Sequence, residues 1–188
     1  MIKDVIKRIR TEMVDVFRDM DRWFDKDDRL LNYNPPNGSW SVRKILEHVS
    51  LTNHFLLVLI RKGTNNALRN AATNSFQELN EEYEFNWIGL ISIGNHMSFQ
   101  WHRPEHMEPS GQISMKDVKT RLDSQLKECL NYLDQMPNGE GTLYRTMMTV
   151  TNLGKIDVYH YIYFLVQHAK RHITQMKKVE IEFKAVRQ

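Results

Sequence analysis

Apolar residues recur at three- and four-residue steps through four long stretches of the chain, and no stretch alternates convincingly in the two-residue rhythm of a strand. From Ile2 to about Phe24, residues Val5, Ile6, Ile9, Met13, Val16, Phe17 and Met20 mark one face, with Lys, Arg and Asp between them. That spacing predicts an amphipathic helix, with Trp23 and Phe24 continuing its packed face. A second helix starts at Ser39 or Ser41, either of which can cap it, and runs to about Arg61. Its apolar face is Val42, Ile45, Leu46, Val49, Leu56, Leu59 and Ile60, and Gly63 is the expected stop. Ser114-x-x-Asp117 opens a third helix, striped by Met115, Val118, Leu122, Leu126, Leu130 and Leu133 and stopped by Pro137-Asn138-Gly139. The fourth runs from about Asp157 to Val179, its start marked by Gly154 and by Asp157.

The connections read differently. Asp27 to Ser39 carries Pro35, Pro36, Gly38 and several Asn, which predicts a turn-rich loop. Thr64 to Pro109 is polar, then aromatic, with short helices expected around Phe76 to Glu84 and Trp87 to His96; it should pack over one end of the helices. Gly139 to Asn152 reads as a loop. The expected fold is all-α: a four-helix bundle with a long irregular connection between helices two and three, forming a single domain over residues 1–188.

Composition narrows the function classes. With 41% hydrophobic and 26% charged residues the chain is too apolar for disorder. The formal charge of +3 is small and the basic residues alternate with acids, as in Lys3-Asp4 and Arg18-Asp19, so no nucleic-acid partner is expected. No apolar run reaches the roughly 20 residues of a membrane span, and the N-terminus has no signal-peptide core, so the expectation is a cytoplasmic protein without a membrane partner. A lone cysteine, Cys129, rules out an intramolecular disulfide and reads as a small core residue. There is no phosphate-cradling Gly-rich loop and no nucleophile-elbow serine.

The chemistry-bearing residues are the histidines, eight in all. His168 and His172 are four apart in a helical stretch, so they advance about 40° beyond one turn and rise ~6 Å, close enough to share an ion. Zinc-like ions want a third protein ligand. His48, on helix two beside its apolar stripe, is the best candidate, although a helical histidine in such a place is more often a core or boundary residue. His102 and His106 have the same spacing, but Pro104 between them opposes a helix. His160 lies two turns before His168, about 12 Å away along the axis; it is a candidate to support the ligands or to contact a lid. His54 and His96 read as structural.

Two motifs carry a resemblance. Trp40-Ser41-x-x-x-Ile45-Leu46-x-His48 resembles the second-helix signature of the DinB/YfiT-like superfamily of metalloenzymes. Leu153-Gly154-x-Ile156-Asp157, followed by His168-x-x-Arg171-His172-x-x-Gln175, is similar to its fourth-helix signature. The resemblance implies a four-helix bundle holding one divalent ion, zinc or nickel above all, on His48, His168 and His172. Candidates to support the ligands are Gln175, one turn beyond His172, Glu47, which points about 100° from His48 on an ideal helix, Arg171 and His160. Tyr159, Tyr161, Tyr163 and Arg171 are substrate-side candidates whose alternative is packing and surface charge. Lys44 departs from the Glu or Gln common in the family, removing a capping partner for Ser41. The implied activity is thiol S-transfer, in which a low-molecular-weight thiol such as bacillithiol or mycothiol attacks an electrophilic substrate. Alternatives are a metal-dependent hydrolase and a non-catalytic metal-binding stress protein. Family habit also implies a homodimer.

Overall fold

The computed structural model describes residues 1–73, 83–95, 105–148 and 153–186. Helix α1 (Ile2–Asp21) buries Ile6, Ile9, Met13, Val16, Phe17 and Met20 of the predicted stripe, with Ile2 added and Val5 half-buried, and ends in a 3-10 turn that buries Trp23. The next segment is not wholly loop: Asp27 caps a single helical turn, α2 (Asp28–Leu31), whose Leu30 and Leu31 enter the core. Two adjacent buried leucines are too few to show a period, which is why sequence alone missed this turn.

Helix α3 (Val42–Thr73) is capped by Ser41, whose Oγ accepts from Lys44 N at 3.4 Å and whose carbonyl accepts from Ile45 N. The helix runs ten residues past Gly63, so the expected stop is wrong. Gly63 stays helical because the helix is packed there: a β-carbon on it would lie 3.0 Å from a Val158 methyl. Further along, Ala67 is buried and Asn70 Nδ2 donates to Leu143 O. Tertiary contacts therefore outweigh the propensity cost of one glycine, about 1 kcal/mol. The buried stripe also passes through Leu57 and leaves Leu59 exposed.

Helix α4 (Trp87–Gly94) lies within the aromatic stretch, as expected, and Asn86 caps it. The helix expected at Phe76 to Glu84 falls largely outside the described residues. Helix α5 (Met115–Gln135) is capped by Ser114 Oγ, which accepts from Asp117 N. Its most buried line is Val118, Leu122, Gln125, Cys129 and Leu133, with Leu126 and Leu130 on the flank. Burial pushes the Cys129 thiol up to about 12, which makes it an inert packing residue.

A short hairpin begins in the stretch read as a loop after α5 and ends at the expected start of the last helix. Strand β1 (Arg145–Met148) pairs antiparallel with β2 (Gly154–Asp157), Arg145 facing Asp157 and Met148 facing Gly154. Strands of four residues bury too little to show alternation, so they were illegible in sequence. β2 runs straight into α6 (Val158–Val186), which extends beyond the predicted end at Val179. From Val158 to Ala169 every residue of α6 is buried, because α1, α3 and α4 all pack against it. Among the described residues no helix is long and apolar enough to cross a membrane.

Two interactions tie α6 into place and make measurable predictions. Tyr159, fully buried, donates its hydroxyl to Met136 O at 2.5 Å and accepts from Gly141 N. A β-carbon on Gly141 would sit 2.8 Å from the Tyr159 ring, so Gly141→Ala should overpack this junction and cost about 1–3 kcal/mol in urea unfolding. On the other side, Glu12 of α1 accepts from Lys170 and Tyr163 of α6 and from Arg8. Burial pushes the Glu12 carboxyl up, but the three hydrogen bonds together outweigh it and hold the group below 4.5. Its stabilisation is thus present above about pH 4.5 and is lost as pH falls through the lower folded value. Glu12→Gln should accordingly flatten the acid limb of the stability–pH curve while leaving the limb above pH 6 parallel to that of the wild type.

Candidate metal centre

Helix α3 delivers His48 and helix α6 delivers His168 and His172 to one buried point, with relative exposures of 6%, 3% and 7%. One ring nitrogen from each lies within 4.8 Å of the others. The four-residue spacing on α6 does what helix geometry requires: the His168 and His172 rings meet edge to face at 4.4 Å and their Nε2 atoms approach to 3.1 Å. His48 closes the group from across the bundle, its ring 4.8 Å from His172 and 5.3 Å from His168. Trp40 packs on the outer side of His48 at 4.9 Å.

The tautomers follow from the neighbours. His48 Nδ1 lies 2.9 Å from the Met107 carbonyl, which can only accept, so Nδ1 carries a hydrogen, and in the neutral ring Nε2 is then the lone-pair nitrogen. His172 Nδ1 lies 2.9 Å from Gln175 Oε1, with the same consequence. Metal-binding imidazoles are oriented in this way, the outer nitrogen donating to a fixed acceptor. Burial first, then the neighbouring His172, His48 and Arg171, lower the His168 pKa well below the usual value, which favours its neutral form. Two imidazole nitrogens 3.1 Å apart are bridged either by a hydrogen, one neutral ring donating to the other, or by an ion. Tetrahedral zinc with bonds of about 2.0–2.1 Å would set its nitrogens roughly 3.3 Å apart. The three residues therefore fit a divalent ion.

The remaining candidates sort by position. Gln175 sits where the motif placed it, on His172. Glu47 is buried and turned to a neighbouring segment: its carboxylate accepts from Ser110 N, Ser110 Oγ and Gly111 N. Arg171 is half-buried, its pKa lowered by burial, and donates to Asn95 O. His160 faces elsewhere: Nδ1 bonds Asp157 Oδ1 at 2.7 Å, Nε2 accepts from Asn86 N, and Phe85 stacks on the ring at 4.2 Å. It anchors the chain leading into α4. The tyrosines are likewise spent elsewhere, Tyr159 on Met136, Tyr163 on Glu12 and Tyr161 on Thr146 and Met147. His54 is exposed and lies outside the buried set. The side chains of the His102 and His106 pair, and His96, lie outside the described residues. Sequence reasoning missed Met107, because its contribution is a backbone carbonyl that no residue type announces.

A family model described as the DinB superfamily matches residues 6–176, which takes in all three histidines. The chain belongs to the DinB superfamily. No curated protein and no solved structure gives a significant match. A mainly helical fold and a buried three-histidine cluster thus accompany membership of the DinB superfamily. A groove of about 480 Å³ lined by Arg8, Glu12, Tyr163, Gln167 and Lys170 contains none of the three histidines, so it is separate from the DinB-type cluster. Gln175→Leu should weaken zinc binding about 10–100-fold in chelator competition, with little change in apo-protein stability.

Proposed function

We propose that this chain is a divalent-metal-dependent enzyme acting by thiol S-transfer. The bound ion would lower the pKa of a small thiol and so supply a thiolate nucleophile at neutral pH. The supporting observation is the geometry of three buried imidazoles, two of them with Nδ1 committed to Met107 O and Gln175 Oε1, so that Nε2 lone pairs face a common centre. Three protein ligands leave a position open, which is the arrangement of catalytic rather than structural zinc. His48, His168 and His172 hold the ion; Gln175 and the Met107 carbonyl orient the rings; Trp40 shields His48 from one side. Zinc and nickel both suit an imidazole set.

Transfer is favoured over hydrolysis by the state of Glu47. Hydrolysis calls for a carboxylate or similar base beside the attacking water. Among the described residues the carboxylate next to a ligand in sequence is Glu47, and both its oxygens are occupied by Ser110 and Gly111. The test is a thiol-consumption screen on zinc- and nickel-loaded protein with a panel of electrophiles. Turnover that disappears in His48→Ala supports transfer. Ester or amide hydrolysis by the same sample, without thiol consumption, overturns it.

A further inference from the structure

We propose that Glu47 is a positioning residue for the metal centre, acting on His48 through the segment at residues 107–111. Glu47 and His48 are consecutive on α3 and point in different directions, yet both engage this one segment. His48 Nδ1 donates to Met107 O at 2.9 Å. Three residues on, Ser110 N and Oγ donate to Glu47 Oε1 at 2.7 and 2.8 Å, and the next residue's amide, Gly111 N, donates to Oε2 at 2.8 Å. Glu47 is 1% exposed, so these three donors replace the water it lost. Gly111, the second of these two successive N–H donors, takes φ +74, a left-handed conformation open to glycine. Lys44 lies over that turn, with its Cε 3.0 Å from where a β-carbon on Gly111 would be.

The consequence concerns which nitrogen of His48 carries the hydrogen. An isolated imidazole exchanges between two neutral tautomers, and only the Nδ1–H form leaves Nε2 free to face His168 and His172. The Met107 carbonyl selects that form only while the 107–111 segment holds its place. Arg43, which donates to Ile113 O, and Thr52, whose hydroxyl meets Met107 Sδ at 3.9 Å, add further ties from α3. Glu47 makes the strongest of them, with three charge-assisted bonds. The residue before the helix-two histidine thus sets that ligand's tautomer, although it contacts neither the ring nor the ion. This inference rests on the metal reading of the site for its effect on affinity, but not for its effect on the tautomer.

The experiment has two readouts on the full chain. Imidazole nitrogen chemical shifts of 15N-histidine-labelled apo-protein report the His48 tautomer, assigned by comparison with His48→Ala. Competition with a chromogenic chelator reports the affinity for zinc. In Glu47→Ala the Nδ1–H form should give way to a mixture, and zinc affinity should fall about 10–100-fold, as expected when an outer support is lost. Glu47→Gln, which keeps length and one acceptor but turns a donor toward Gly111 N, should fall between Glu47→Ala and wild type; it carries the test if the alanine variant does not fold. A lower melting temperature with His48 still wholly in the Nδ1–H form and unchanged zinc affinity would overturn the proposal, since Glu47 would then be a structural clamp only. If the wild type binds no zinc, the function proposed above fails, and the tautomer readout alone decides this one.

Discussion

His168→Ala will abolish metal binding at neutral pH, taking a wild-type content near one ion per chain to background. His168 is the ligand most enclosed by the others: its ring meets His172 at 4.4 Å and His48 at 5.3 Å, and it stacks on Phe164 at 6.3 Å. Removing it leaves two imidazoles from different helices, fewer than the three ligands a catalytic zinc site uses. The affinity loss should therefore exceed the roughly 10–100-fold expected for loss of an outer support such as Gln175. A second effect accompanies the first. Zinc at 100 times its dissociation constant stabilises the folded state by about 2.7 kcal/mol, since the unfolded chain has no preformed site. For a protein of this size that is roughly 5–10 °C in melting temperature. Chelation should lower the wild-type melting temperature by that amount and leave the variant, already about 1–3 kcal/mol less stable from the lost buried ring, unchanged. Plasma mass spectrometry on untagged protein, with scanning calorimetry before and after chelator, checks both. A wild type that stays empty after reconstitution with zinc and with nickel would make the three histidines core residues and remove the enzyme reading while leaving the fold.

The largest stability effect away from the histidines is expected at Asp157. This carboxylate, 1% exposed, stands where β2 passes into α6, the helix that carries two of the three histidines. Oδ1 accepts from the His160 backbone N at 3.1 Å, as a helix cap does, and from His160 Nδ1 at 2.7 Å. Oδ2 accepts from the Tyr83 hydroxyl at 2.7 Å. Asp157→Ala removes the cap, at about 0.5–2 kcal/mol, and strands two further donors in a buried place, at about 1–3 kcal/mol each if water does not reach them. These terms overlap, so a total of about 3 kcal/mol or more is expected in urea unfolding. Asp157→Asn keeps one acceptor and should recover part of it. The change should also loosen the chain at Tyr83 to Asn86, because His160 loses the partner that leaves its Nε2 to accept from Asn86 N. Faster amide exchange at Asn86 would show this; wild-type stability and exchange in Asp157→Ala would refute the role assigned to the junction.

Much of this was legible because it depends on local periodicity. The α1 stripe, the Ser114 cap and the four-residue placement of His168 and His172 are consequences of helix geometry acting on neighbouring residues. The family motifs added the pairing of His48 with the other two. Errors arose where a distant contact outweighed a local signal. Gly63 did not stop α3, because Val158 packs on it and the 140–144 region holds the helix beyond it. The β1–β2 hairpin and the α2 turn are too short to carry a period. On an ideal helix Glu47 points about 100° from His48, and what links the two is a separate segment, which Glu47 grips and which returns to His48 through a backbone carbonyl.

The sequence by itself determined the four long helices and the Ser114 cap through local periodicity and residue type, and its two family motifs pointed to the family and to His48, His168 and His172. Only the tertiary structure decided which nitrogen of His48 and His172 faces the centre, and which polar groups are spent elsewhere, as Tyr159, Tyr163 and His160 are. The reason is physical: a tautomer is chosen by the acceptor that burial brings against the other nitrogen. For His48 that acceptor comes from residue 107, on a separate segment of the chain.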